Sequence, residues 1–260
     1  MLRLLKRFAI LSLFAVLVLF VPSSVFASHS WGSYHWARMS NPFTLTLGDN
    51  VSSGWDQFLA TTASDWSIST VLDTVVGAGR AKGNCRPTKG RVEVCNKTYG
   101  NNGWLGLAQI WVSGSHITQA TTKVNDTYFN TSRYNTPAWR NLVMCQEVGH
   151  TLGLDHQDEV FDNANLGTCM DYTSDPSTNQ HPNAHDYEQL ELIYAHLDAV
   201  TTVSQTSAQL ARQGIMGNQD APGDDPSQWG QLVRKNGRLA LYEKDLGAGQ
   251  KLFTFVIFAQ

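Results

Sequence analysis

The residues best placed to do chemistry lie close together, in Gln146-Glu147-Val148-Gly149-His150-Thr151-Leu152-Gly153-Leu154-Asp155-His156. On a helix, positions i and i+4 share a face, so Gln146 and His150 point the same way with the Glu147 carboxylate beside them. Gly153 permits a sharp turn, after which His156 swings back toward the same point, as a straight helix would not allow. Imidazole nitrogens converging on one point are a zinc site, and an adjacent carboxylate is the base that metal-assisted hydrolysis by water requires. Gln146 is the unusual member, because an amide oxygen is neutral and a poorer zinc ligand than imidazole. Three readings stay open: Gln146 binds through its oxygen, another residue replaces it as a ligand, or the site holds no metal and the chain only binds peptides.

The pattern Glu147-x-x-His150-x-x-Gly153-x-x-His156 resembles the long zinc signature of the metzincin metalloproteases, with Gln146 where that family has histidine. Cys169-Met170-Asp171-Tyr172 resembles the metzincin Met-turn, whose methionine lies under the metal. Tyr172 stands where astacins and serralysins carry a tyrosine that contacts the metal or the oxyanion. Gly106 to Trp111 looks like the edge strand along which an extended substrate lies antiparallel in that family. The resemblance implies one catalytic zinc ion held by Gln146, His150 and His156, and Glu147 as general base. It further implies Tyr172 as oxyanion partner, Gly153 and Met170 as structural residues near the site, and a protein or peptide substrate. Gln-for-His motifs of this kind occur in some gametolysin-like proteases, and a snapalysin-like variant would use Asp155 in place of His156 as third ligand. The rival reading is an inactive scaffold of the same shape that binds peptides or proteins outside the cell.

Mixed elements must position these residues. Phe43 to Leu47 alternates with period two and reads as a strand; Gly54 to Trp66 has helical spacing with Ser52 or Ser53 as cap. Arg91 to Cys95, Leu105 to Val112 and Ile117 to Phe129 read as further strands. Pro137 suits the first turn of a helix running into the motif, with Gly153 as its stop, and a last helix is expected over roughly 183–197. The fold class is therefore α+β, a twisted mixed sheet with an active-site helix and a later helix, in the order of a matrixin-like catalytic domain. The organisation expected is a leader over 1–27, a metzincin-like unit over 28–200, a Ser/Thr/Asp/Pro-rich linker over 201–228 and a small β unit over 229–260. Within that unit Asn236-Gly237 signals a type I′ hairpin, and the apolar run Leu252 to Ala259 should be covered or paired.

The leader carries Arg3, Lys6 and Arg7, an apolar run to Val21 and a small-residue cleavage signal at Val25-Phe26-Ala27. Export is expected, and no membrane span after cleavage. The formal charge of −3 leaves no nucleic-acid footprint. Four cysteines in an oxidising compartment suggest two disulfides, with Cys85 to Cys95 and Cys145 to Cys169 favoured over other pairings or a four-cysteine metal site. Calcium is conceivable at Asp158, Glu159, Asp162 and Asn163, which match no known loop template. His29, His35, His116, His181, His185 and His196 show no ligand spacing; His181 or His185 would be the ones to approach the site from the segment after Met170. The short span from Ser28 to Pro42 holds no cysteine, so no cysteine-switch inhibition is expected.

Overall fold

The computed structural model describes residues 28–81, 85–205, 207–212 and 224–259; the expected leader and part of the expected linker lie outside the described residues. The elements are β1 (His35–Trp36), β2 (Phe43–Asn50), α1 (Asp56–Trp66), β3 (Leu72–Ala78), β4 (Val92–Lys97), β5 (Trp104–Ser113) and β6 (His116–Asn125). They continue with α2 (Asp126–Phe129), α3 (Pro137–Thr151), α4 (Ala184–Ile193), α5 (Ser207–Arg212), a 3-10 turn (Pro226–Gln228), β7 (Gln231–Asn236), β8 (Leu239–Gly247) and β9 (Gln250–Phe258). This is an α+β arrangement around one sheet. The strand order is β3-β2-β4-β6-β5-β9-β8-β7, with β1 added to the start of β6. The β3, β2, β4 and β6 strands are parallel, and from β6 through β5, β9 and β8 to β7 every pairing is antiparallel.

Helices α1 and α3 form the second layer. Phe58, Leu59, Ala63 and Trp66 of α1 are buried, and the Trp66 indole donates to the Cys145 carbonyl of α3 at 3.2 Å. Trp36, Trp55 and Trp66 are almost fully buried, so this layer is sealed by large rings rather than by many small side chains. Pro137 opens α3 and Thr136 caps it by accepting from Trp139 N–H. Asn183 and Asp186 form a reciprocal capping box at the start of α4.

Several local expectations need correction. Neither Ser52 nor Ser53 caps α1, whose N-cap is Trp55 without a side-chain hydrogen bond. The strand expected over Ile117 to Phe129 stops at Asn125, because the Asn125 side chain accepts from both Tyr99 and Thr127 N–H and turns the chain into α2. β3, a parallel edge strand, carried no signal strong enough to be read. Only Gly237 at the β7–β8 turn has positive φ, so the two-residue loop is Gly237-Arg238 rather than an Asn236-Gly237 type I′ turn.

The largest correction concerns the strand expected to be an open edge. Gly106 to Trp111 lies inside β5, and β5 is bonded on one side to β6 and on the other to β9. β9 contains the apolar run Leu252 to Phe258, and burying it requires a partner strand along each edge of its backbone; β5 and β8 supply them. Phe253, Phe255 and Ile257 join the same core as Trp36 and Trp66. The described parts of the expected linker are also bonded in place: Thr202 N–H donates to Ala37 O at 2.9 Å, Ser204 N–H to Gly90 O at 2.8 Å, and Asp224 pairs with buried Lys123 at 2.7 Å.

Asn125 serves three carbonyl or amide oxygens with its NH2 group, those of Gly100, Asn102 and Trp104, at 3.0–3.1 Å. Asn125→Ala strands the buried Trp104 carbonyl and the partly buried oxygens of Gly100 and Asn102, and should lower unfolding free energy by about 1–3 kcal/mol, read from urea denaturation.

Candidate metal centre

Helix α3 carries the motif into the interior. Every residue from Leu142 to Thr151 is buried, including Gln146, Glu147 and His150. Two glycines make this depth possible. A Cβ on Gly149 would meet Met170 Sδ at 2.5 Å, and one on Gly106 of β5 would meet Glu147 Oε1 at 2.7 Å. The helix therefore rests directly on the Met170 loop on one side and on the β5 backbone on the other. The Cys145–Cys169 disulfide ties the same two segments, and the Cys85–Cys95 disulfide closes the loop before β4.

Gly153 has φ of +99°, and its bare Cα lies where a Cβ would sit 2.5 Å from Tyr34 O. The chain reverses there, and His156 returns to His150. Their Nε2 atoms stand 3.1 Å apart. The His150 Nδ1–H donates to Leu154 O at 2.9 Å, so in the neutral ring Nε2 keeps its lone pair. Burial drives the His150 pKa down to about 3, with His156 adding to the shift. His156 feels the same burial, yet Asp155 and Glu159 outweigh it and raise its pKa above the ordinary value. Two nitrogens bound to one tetrahedral zinc at roughly 2.0–2.1 Å stand about 3.3–3.4 Å apart, close to the observed spacing.

Gln146 donates through Nε2 to Cys169 O at 3.0 Å, which fixes its amide plane. Its Oε1 is buried with no hydrogen-bond partner among the described residues, and so is Glu147 Oε2. Burial raises the Glu147 pKa well above that of an ordinary carboxylate. Two imidazole nitrogens that meet at 3.1 Å, with a buried amide oxygen and a buried carboxyl oxygen left unpaired on the same helix, are donor types that a divalent cation takes.

Met170 lies beneath Gly149 as a packing residue, fully buried. The Tyr172 hydroxyl accepts from Arg238 N–H at the β7–β8 turn, and its ring packs at a tilt against Phe161, centroids 4.6 Å apart. Asp155 is held by Arg234 at 2.6 and 2.8 Å, and Glu159 by the same guanidinium at 3.0 Å, so this cation already occupies the acidic turn. Asp158 spends its oxygens on Val160 N–H and the Asn163 amide. His181 pairs with Asp65 at 2.7 Å. His29 and His185 pack against each other at a tilt, centroids 4.9 Å apart, and His29 bonds Asp155 O.

β9 covers the centre. Phe255 pairs with Ala108 of β5, and its ring lies flat on His150 at 4.3 Å with 9° between planes. The gap left among His156, Glu159, Arg234, Leu239 and Phe255 is about 10 Å³, which is room for one water at most. Sequence reasoning also missed a second convergence. His35, His116 and His196 gather around Asp198, and no local spacing could have revealed it because the four residues come from three distant segments.

No protein-family model matches the chain, and no curated protein matches it. Among solved structures it is similar to high choriolytic enzyme 1, a hatching-enzyme zinc protease from the medaka fish Oryzias latipes, with 10% identity and a TM-score of 0.34. That match covers 63% of this chain and 95% of the medaka chain.

Glu147 supplies a pH-dependent prediction for the metal-free protein. Its folded pKa lies above the unfolded one, so its contribution to stability is fully present below about 4.5 and is lost as pH rises through the folded value. Glu147→Gln removes that loss. In the presence of chelator at neutral pH the variant should melt at a higher temperature than wild type, and the gap should close toward pH 4.

Proposed function

We propose that this chain is an exported, metal-dependent peptide hydrolase whose substrate position is filled by its own C-terminal strand. The observation that carries the reading is the 3.1 Å approach of His150 Nε2 and His156 Nε2, on a motif whose Gln146 and Glu147 each keep a buried oxygen without a partner among the described residues. His150, His156 and Gln146 would hold the ion, zinc being the metal that suits this donor set. A divalent ion there supplies polarisation of a scissile carbonyl and activation of water.

The remaining work belongs to the chain's own groups. Glu147 Oε2 takes the proton of the attacking water and returns it to the leaving amine. A cation beside Glu147 stabilises its ionised form and so opposes the upward pull of burial. Leu154 O holds the His150 tautomer, the outer support that metal-bound histidines need, while Asp155 and Glu159 face His156 Nδ1 as ion-pair partners at 3.5 and 3.8 Å. Tyr172 would stabilise the oxyanion once its hydroxyl leaves Arg238. An extended peptide would take the antiparallel place beside β5 that β9 holds, so the structure corresponds to a latent state. Export agrees with two disulfides, and no helix among the described residues is long and apolar enough to cross a membrane.

One observation favours a second reading. Phe253, Phe255 and Ile257 belong to the main core, which suits a permanent sheet member and a scaffold that never hydrolyses. Hydrolysis of an unfolded protein by the zinc-loaded chain separates the two. The hydrolase reading expects chelator-sensitive cleavage that falls by about 10²–10⁴ in Glu147→Ala. It also expects faster cleavage in Arg234→Ala, which frees β7 from Asp155 and Glu159. Cleavage unchanged in Glu147→Ala overturns the mechanism; zinc binding with no cleavage in any of these proteins favours the scaffold.

A further inference from the structure

The cluster around Asp198 shares no residue with the centre on α3. His35 Nε2 lies 3.3 Å from Asp198 Oδ1, and His116 Nε2 lies 3.2 Å from the same oxygen. His196 Nε2 lies 3.2 Å from His35 Nε2 and 3.7 Å from Asp198 Oδ1. The other carboxylate oxygen, Oδ2, accepts from Arg38 Nη1 at 2.8 Å and Arg38 N–H at 3.1 Å. Asp198 is thus fixed on one side by a buried guanidinium, with Oδ1 turned toward the histidines.

The tautomer of His35 decides what those distances mean. Its Nδ1 lies 2.7 Å from Ser33 O. A carbonyl only accepts, so Nδ1 carries the proton and, in the neutral ring, Nε2 presents a lone pair. That lone pair faces a carboxylate oxygen, which also only accepts, and a second imidazole nitrogen. Acceptors this close need a proton or a metal cation between them, and the ligand atoms of His35, His196 and Asp198 all lie within 4.8 Å of one another, the reach of a single ion. The spacings of 3.2, 3.3 and 3.7 Å bracket the edge of about 3.3–3.4 Å expected for ligands around one tetrahedral zinc. The backbone bond at His35 Nδ1 is the outer support by which metal-binding histidines are oriented.

We propose that His35, His196 and Asp198 form a second divalent-cation site, of the mixed imidazole and carboxylate type that suits zinc, with His116 bracing the shared oxygen of Asp198. An ion there links β1 to the segment after α4 and fastens the N-terminal strand to the end of the helical layer. Solvent reaches it, since His35 and His196 line a surface pocket of about 460 Å³. Its role is structural. The inference does not depend on the hydrolase reading.

The test counts zinc bound to the purified full chain at neutral pH and measures the melting temperature with and without zinc. His196 is half exposed, so His196→Ala should keep the wild-type melting temperature in chelator. It should bind one ion fewer than wild type, lose part of the zinc-dependent rise in melting temperature, and bind the ion of this site more than ~10–100-fold more weakly, beyond the range for losing an outer partner alone. Asp198→Asn should bind one ion fewer as well. If both variants bind as many ions as wild type with unchanged affinity, the cluster is a proton-sharing network and the proposal is overturned. His156→Ala keeps the two sites apart. One ion in wild type that His196→Ala loses and His156→Ala keeps supports this site and removes the metal centre on α3; the opposite pattern removes this site alone.

Discussion

From Leu142 to Thr151 helix α3 has no residue left at the surface, so it takes an amide, a carboxyl group and an imidazole out of water together. Desolvation of that kind is unfavourable unless each group finds a partner or changes its protonation state. His150 stays neutral and gives Nδ1–H to a carbonyl, Gln146 gives its NH2 to another, and Glu147 is pushed toward its protonated form. What remains unpaired is one oxygen each on Gln146 and Glu147, on the same stretch of helix as the His150 Nε2 lone pair. The glycines at 106 and 149, the Cys145–Cys169 disulfide and the turn at Gly153 all serve this one placement.

The antiparallel side of the sheet follows from the same helix. β5 supplies the backbone against which Glu147 rests, and β9 then completes the outer side of β5 with an apolar strand. Leaving β9 unpaired would expose a row of backbone donors and acceptors along a strongly apolar strand, the arrangement that promotes intermolecular pairing. Pairing it here satisfies that edge and at the same time lays Phe255 over His150. Arg234 adds an ionic contact to the acidic turn next to His156, so the C-terminal strands are coupled to the centre by stacking, by ladder hydrogen bonds and by charge. Stability of the sheet and access to the centre therefore oppose each other.

A second concentration of imidazoles lies between β1, β6 and the segment after α4. Arg38 and Asp198 already join these segments, and Trp36 of β1 donates to Thr151 O at the end of α3. The N-terminal strand is thus a brace between the helix that carries the motif and the chain that follows α4, and any group strengthening the Asp198 cluster stiffens that brace.

The sequence by itself determined the local features. Period-two alternation marked Phe43 to Leu47, Pro137 marked the start of α3, Gly153 marked its end, and the spacing of His150 and His156 around Gly153 marked their meeting, because each depends on residues within one or two turns of each other. The pairings Cys85–Cys95 and Cys145–Cys169 were also legible, from loop length and neighbourhood. Tertiary structure alone decided that β5 is an interior strand, that Tyr172 turns to Arg238, and that His35, His116 and His196 meet at Asp198. Those outcomes join residues from 66 to 163 positions apart along the chain, where no periodicity acts and only the competition for backbone partners and buried charge settles who meets whom.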